Sequence, residues 1–405
     1  MRLKEICDYI SRGTTPDYVD ESPYKVMNQA TFSKGRLDES NVRYTSKSVK
    51  DAQIKKGDLL MASTGGGVLG KVFFYDSEDD SFYADSHVSI LRNSKRNNLM
   101  KYLYYFFSIR YEEINATMVK GSTNQTELQR NYLLAYELDI PSLSEQQRIV
   151  DYLDEKLAKI DERIEVLEKQ QDAYARLKKS VIHQTVTRGL NPNVPLKDSG
   201  VEWIGMIPEH WEVKRIKELC SFVSRGATPN YVDEGEYKVM NQAVFSTGNL
   251  NHKVVRYSSY MKSESQIKKG DLLIASTGGG VLGKLYFFDD EDLNFYADTH
   301  VTIVRSEKGL FCVKFLFYLL SYQFDMVNAC MAKGSTNQTE LQRDCLLSYE
   351  LAIPSLVEQQ TIIAYLDEKC SKIDAATENI GKQIDALKRL KRALINEVVT
   401  GQRAV

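Results

Sequence analysis

Lys55-Lys56-Gly57-Asp58-Leu59-Leu60-Met61-Ala62-Ser63-Thr64-Gly65-Gly66-Gly67-Val68-Leu69-Gly70-Lys71 returns as Lys268–Lys284 with one change, Met61 becoming Ile274. The offset is 213 residues (268 − 55), and Lys120–Arg130 returns unchanged as Lys333–Arg343 at the same offset. Tyr24–Ala30 and Ile140–Leu143 obey it too, and no gap is needed from Leu3/Ile216 to about Thr187/Thr400. So long a period excludes a solenoid of short repeats. The chain is one domain plus its trailing segment, written twice. Polar, turn-rich stretches are kept alike as well as apolar ones, which points to use of the surface and not only of the core.

Within each copy the texture changes once. Val72-Phe73-Phe74-Tyr75 and His87-Val88-Ser89-Ile90-Leu91 read as short strands, rich in β-branched and aromatic residues. Gly57-Asp58 and Gly65-Gly66-Gly67 are turns, and Leu99–Ile114 reads as an aromatic-rich helix. After Pro141 a long helix is expected, with Ser144-Glu145-Gln146-Gln147 supplying an N-cap and a nearby acid. Leu153, Leu157, Ile160, Ile164, Leu167, Gln171, Tyr174, Lys178 and Val181 follow a four-three alternation, a heptad seam. The second copy places Leu366, Cys370, Ile373, Thr377, Ile380, Ile384, Leu387, Lys391 and Leu394 in the same register. Neither helix can bury its stripe alone, so the two are expected to pack on each other as a rod of roughly 60 Å.

The expected fold class is α+β: two tandem mixed domains joined by two long helices packed as an antiparallel coiled coil, with a pseudo-two-fold internal repeat. The expected segments are a mixed domain over 1–143, a long helix over 144–188, a linker and lead-in over 189–213, a second domain over 214–356 and a second helix over 357–403. The lead-in, Val201–Val213, holds both tryptophans and has no counterpart in the first copy, because Met1 already corresponds to Lys214.

The chain of 405 residues exceeds one ordinary core. No uninterrupted apolar run approaches the ~18 residues of a membrane span, and no signal peptide opens the chain. Six scattered cysteines form no C-x-x-C pair, so no zinc site or disulfide framework is expected, and a reducing cytoplasm fits. The net charge of −2 does not advertise a nucleic-acid partner; a DNA reader of this composition must segregate its charges.

Several enzyme motifs nearly appear. Gly65-x-x-x-x-Gly70-Lys71 matches most of a P-loop, but Val72 stands where Ser or Thr should hold Mg²⁺, and strand material follows where a helix is required. Pro16-Asp17, Glu21 and Lys25 approach a nuclease metal pattern, yet Asn230 replaces Asp17 in the second copy and removes the charge a Mg²⁺ ligand needs. Asp85-Ser86-His87 and Asp298-Thr299-His300 have no marked nucleophile beside them, and the histidines read as structural residues of a strand end. No metal or catalytic residue is assigned.

The doubled order of mixed domain, Gly-Ser-Thr-Asn-Gln, Ile-Pro-Ser-Leu-x-Glu-Gln-Gln and long helix resembles the specificity subunit of type I restriction-modification systems. Lys120–Gln125, Leu138–Gln147 and Val150–Asp154 carry the likeness, with Lys333–Gln338, Leu351–Gln360, Ala364–Asp367 and the lead-in Asp198–Val213. The resemblance implies a non-catalytic subunit with two target-recognition domains, each reading half of an interrupted site on double-stranded DNA. It also implies that the helices measure the spacer and dock two methyltransferase subunits. S-adenosylmethionine, ATP and Mg²⁺ would then belong to methyltransferase and motor-nuclease partners, with no cofactor in this chain.

Amides, arginines and hydroxyls read base edges, while lysines and backbone N–H groups hold phosphates. The DNA-contact candidates are therefore Arg12, Tyr18, Asn28, Gln29, Ser63, Thr64, Lys71, Lys120, Ser122, Thr123, Asn124 and Gln125. Their counterparts are Arg225, Tyr231, Asn241, Gln242, Ser276, Thr277, Lys284, Lys333, Ser335, Thr336, Asn337 and Gln338. For Gly-Ser-Thr-Asn-Gln a turn and helix cap is the competing reading, and for Asn28-Gln29 a buried hydrogen-bonded pair. Because the domains are near copies, the expected site is symmetric. An orphan DNA binder and a protein adaptor without a methyltransferase stay open as alternatives.

Overall fold

The computed structural model describes residues 1–33, 35–65, 67–95, 97–120, 126–278, 281–292, 294–306, 311–322, 332–333 and 339–405. These form two compact units, one of Met1–Glu168 with Gly381–Val405 and one of Lys169–Ile380. The segments drawn from the sequence follow chain order, whereas the units follow packing. Each unit holds one mixed domain and half of each long helix.

In the first unit Leu59-Leu60-Met61-Ala62 has no polar residue to face water, and the strand Asp58–Ala62 is buried throughout. It lies inside a four-stranded antiparallel sheet ordered Tyr9–Arg12, Val88–Arg92, Asp58–Ala62, Val72–Tyr75. Strand alternation sends Leu59 and Met61 to one face, against Tyr102, Leu103 and Phe107 of the helix Asn97–Ser108. Leu60 and Ala62 go to the other, against Met27, Phe32, Ile54 and Phe82. That second core is shared with a small mixed sheet ordered Tyr18–Val19, Arg43–Thr45, Lys25–Met27, Phe82–Ala84. The second unit repeats both sheets, its central strand being Leu272–Ala275. The helix read over Leu99–Ile114 is instead two helices, Asn97–Ser108 and Tyr111–Thr117. Arg110 covers the break: its guanidinium donates to the Phe106 carbonyl at 2.8 Å and lies over the Phe106 ring.

One charged pair is embedded in each large sheet. Arg92 forks onto Asp58 at 2.6 Å through both nitrogens, and Arg305 onto Asp271 at 2.7 and 2.6 Å. Burial pushes the Asp58 carboxyl up, while the Arg92 fork and the Lys55 N–H oppose that shift.

The long helices are Leu143–Arg188 and Leu356–Val399. Ser142 and Ser355 cap them, not Ser144, with Oγ accepting from Glu145 N at 3.4 Å and Glu358 N at 3.3 Å. The Gln of each Glu-Gln-Gln is buried and donates back to the proline carbonyl, Gln146 to Pro141 at 2.7 Å and Gln359 to Pro354 at 2.9 Å. Asp154 receives Tyr105 and Lys101 from the aromatic-rich helix, and Asp367 receives Tyr318 and Lys314 in the same way. The acid that closes Val150–Asp154, and its counterpart Asp367, thus locks each domain onto its helix.

In the first unit Leu153 and Leu157 share a core with Leu394, Ile395 and Val398. In the second, Ile182 and Val186 share one with Ile362, Leu366 and Cys370. Rising numbers on one helix meet falling numbers on the other, so the pairing within each unit is antiparallel. Among the other seam residues Leu167, Ile373, Ile380 and Ile384 are buried, and Ile160, Ile164 and Leu387 half-buried. Charge reinforces the direction. Acids crowd the first half of each helix (Asp151, Asp154, Asp161; Asp367, Glu368, Asp374) and bases the second (Arg176, Lys178, Lys179; Lys388, Lys391, Arg392). Lys391 donates to Asp161 at 2.7 and 2.6 Å in the first unit, and Lys178 to Asp374 at 2.6 and 2.7 Å in the second. These pairs are each other's image under the 213-residue repeat.

The lead-in has a structural task. Trp211 is buried against Phe315 and donates Nε1–H to Glu358 at 3.2 Å, while His210 meets the other Glu358 oxygen at 2.8 Å. Glu212–Arg215 then pairs with Glu350–Ile353. In the first unit only Met1 and Arg2 reach the corresponding backbone, at Leu138 and Glu137.

Two outcomes follow for stability. Asp58→Asn should cost about 3 kcal/mol by leaving the Arg92 guanidinium half-buried and unpaired, seen as a lower urea midpoint, and Asp271→Asn should match it. Lys178→Glu should lose about 0.5–1 kcal/mol, with Asp374→Lys restoring it in the double variant, read by the same titration.

Candidate nucleic-acid interface

An antiparallel hairpin separates its two flanking loops by the length of its strands. Strands Asp58–Ala62 and Val72–Tyr75 are joined by the glycine-rich loop at one end, and the turn Asp76-Ser77-Glu78-Asp79-Asp80 leaves the other. The acids therefore collect at the far end of the sheet. Lys25 holds Asp79 at 2.8 Å and keeps its carboxyl down at about 2, and Lys56 holds Glu78 at 2.6 Å. The second unit repeats this with Lys238–Asp292 and Lys269–Glu291. Each large sheet thus carries a lysine-quenched acidic cluster at this end.

The opposite end gathers the polar candidates. The pairings Arg12↔Ser89, Ala62↔Val88 and Met61↔Val72 bring Arg12, Ser63–Lys71 and Asp85–His87 to one rim. Thr64 bridges to Glu127 at the same place. Gly13 makes the closure possible: a Cβ there would lie 2.2 Å from the Ala84 carbonyl oxygen, and one at Gly226 2.0 Å from that of Ala297.

On this rim Arg12 donates Nε–H to the Ser86 carbonyl at 2.5 Å and faces Glu127 at 3.5 Å. Arg225 faces Glu340 at 3.3 Å and donates to the Leu341 carbonyl. Thr64 Oγ1 meets His87 Nδ1 at 2.6 Å, and Thr277 Oγ1 meets His300 Nδ1 at 2.7 Å. Lys71 and Lys284 reach the carbonyls of Ser33 and Ser246, at 3.0 and 2.5 Å. Gln29 and Gln242 lie half-buried beside Gly65 and Gly278. Asn28 and Asn241 cap the short helices Gln29–Phe32 and Gln242–Phe245, so each Oδ1 is already engaged by backbone N–H. Tyr18 and Tyr231 sit on the small sheets, 45% and 36% exposed, with the guanidinium of Arg43 and of Arg256 over their rings at 4.7 and 3.5 Å.

Ser63 and Ser276 correct the sequence reading. They are 1% and 0% exposed, bonded at 2.6 Å to Ser89 and Thr302 inside the sheet, and cannot touch a duplex. Their hydroxyls pair across adjacent strands, which a run of polar letters does not reveal. Ser122–Gln125 and Ser335–Gln338 lie outside the described residues; the backbone of Lys120 and Lys333 enters short strands paired with Glu127 and Glu340. Arg43, Arg256, His87 and His300 were not among the candidates. The recurrence of Asp-x-His with only the middle residue changed was the available signal for the histidines. The near P-loop runs directly into the strand Val72–Tyr75, without a helix to face a phosphate. Among the described residues no cluster of His, Cys, Asp and Glu could hold a metal ion, and no helix is long and apolar enough to cross a membrane.

The doubled rim, the paired long helices and the lead-in can now be set beside known proteins. The family described as type I restriction modification DNA specificity domain matches residues 1–170 and again 208–389. The chain belongs to that family. It is similar to the type I restriction enzyme MjaVIII specificity subunit of Methanocaldococcus jannaschii, 24% identical over 418 residues that cover 99% of this chain and 92% of the relative. The StySPI specificity subunit of Salmonella potsdam is 18% identical over 406 residues, 95% of this chain and 84% of that one. A solved structure described as the structural basis of complex assembly and conformational transition of the type I R-M system shares the fold. Its TM-score is 0.70 at 17% identity, covering 98% of this chain and 96% of the other. Specificity subunits are the non-catalytic, DNA-recognition part of such systems.

Gly13→Ala should cost about 2 kcal/mol, because the new methyl meets backbone that cannot rotate away. Thermal unfolding would show it, and Gly226→Ala should reproduce it.

Proposed function

We propose that each rim reads one half of an interrupted site on double-stranded DNA, and that the two half-sites are the same sequence on opposite strands. The observation that carries this is the repetition of rim geometry between the units: the Thr–His contacts, the lysines on their carbonyls, the asparagine caps and the Arg–Tyr stacks recur at corresponding residues. Antiparallel pairing of the long helices supports a pseudo-two-fold relation, through which like readers take like half-sites. The cations at each rim, Arg12 and Lys71 with Arg225 and Lys284, support approach of a polyanion, beside one acid each, Glu127 and Glu340.

The helices would set the spacer and dock two methyltransferase subunits. A groove of about 460 Å³ lined by Ala173, Tyr174, Leu177, Ala376 and Ile380 offers an apolar seat on the helix pair of the second unit. Leu177 and its repeat Leu390 are both exposed. S-adenosylmethionine, ATP and Mg²⁺ would be bound by methyltransferase and motor-nuclease subunits.

The test is to co-express the chain with its methyltransferase and map modified adenines by single-molecule sequencing. A symmetric interrupted motif is expected. Two unrelated half-sites would remove the equivalence of the rims, and no methylation by a folded, bound partner would overturn the guiding role.

A further inference from the structure

The imidazoles of His87 and His300 are exposed on the rim, although the sequence reads them as structural. In both units Nδ1 is taken by a threonine hydroxyl, and among the described residues neither Nε2 has a hydrogen-bond partner. The hydroxyl carries a single proton, which decides the tautomer. In the second unit Thr277 Oγ1 also lies 3.5 Å from Gln242 Oε1, and a proton shared with that oxygen leaves the hydroxyl to accept from His300 Nδ1–H. A neutral ring held this way leaves a lone pair on Nε2. In the first unit the ring contact is the same, and Gln29, the counterpart of Gln242, keeps its Oε1 buried without a partner. The threonine–glutamine contact is thus seen in the second unit alone. The residue before His87 is in turn pinned by Arg12 at the Ser86 carbonyl, and the buried Asp85 and Asp298 accept the backbone N–H of His87 and His300 at 2.8 Å. So much fixing of an exposed ring has no use for the core, since the ring fills no part of it.

We propose that His87 and His300 are specificity-determining residues, each presenting Nε2 as an acceptor to the exocyclic amino group of an adenine or cytosine in the major groove. Those amino groups are the donors a major groove offers, and thymine O4 and guanine O6 at the same place would face the lone pair with another acceptor. Thr64 and Thr277, bonded to the two Nδ1 atoms, act as positioning residues. The inference rests on the DNA-reading role proposed above.

The experiment uses the full chain bound to its methyltransferase, and duplexes in which each base pair of the methylated site is replaced in turn. His87→Ala should relax preference at one adenine or cytosine of one half-site by about tenfold and leave the other half-site unchanged. His300→Ala should do the same in the other half. Thr64→Val keeps the shape but not the hydrogen bond to Nδ1, and should weaken preference at the same position as His87→Ala, which provides the reading if the alanine variant folds poorly. A uniform loss of affinity for every duplex, or an unchanged preference at all positions in both first-unit variants, would overturn the proposal. If the wild-type complex binds every duplex equally, DNA reading itself fails, and the inference with it.

Discussion

An apolar stripe along one helix needs a second helix to cover it, and everything else in this protein hangs on how that need is met. Each long helix carries the same seam and the same charge polarity, acidic first and basic last. A parallel pair would set acid beside acid and base beside base. The antiparallel pair instead places Asp161 with Lys391 and Asp374 with Lys178, a single interaction used twice because the sequence is used twice. Exposed ion pairs of this kind add little to stability. Their effect is on direction and register, which the apolar residues alone leave less determined. Once direction is fixed, Asp154 and Asp367 fix each mixed domain on its helix through one tyrosine and one lysine.

The polar stretches that repeat so closely serve two ends at once. Some hold the sheet: Ser63 and Ser276 bond across strands, Asn28 and Asn241 cap helices, Asp58 and Asp271 receive arginine forks. Others stay at the surface on that frame: Thr64, His87, Arg12, Tyr18 and their counterparts. Strand length keeps the turn at Asp76–Asp80 away from the rim, and Lys25 and Lys56 further quench it.

The duplication, the long helices and the buried central strand were legible because they rest on periodicity and on the absence of polar residues, both local properties of sequence. The Ser142 cap was displaced by two residues, as helix ends are where several hydroxyls compete for the same N–H groups. The rim was harder. Thr64 and Ser63 are neighbours in a strand end, so their side chains take opposite faces, and only the strand partner Ser89 decides which one is buried. The role of Asn28 depended on a four-residue helix that no periodicity announces. The exposure of His87 follows from where the loop turns after Asp85, a tertiary fact. The lead-in was recognisable as a motif, while its reason, a buried tryptophan tied to the first turn of the second long helix, needed coordinates.

The division of the chain into units has a consequence for biosynthesis. The second unit is built from the contiguous run Lys169–Ile380, so all of its core exists before Gly381 is added. The first unit is not contiguous: Leu153 and Leu157 are covered by Leu394, Ile395 and Val398. The usual order, in which the N-terminal part of a chain finishes first, is therefore reversed. The Leu153 and Leu157 face of the earlier domain therefore stays uncovered until the segment that begins at Gly381 has been made and folds back over it.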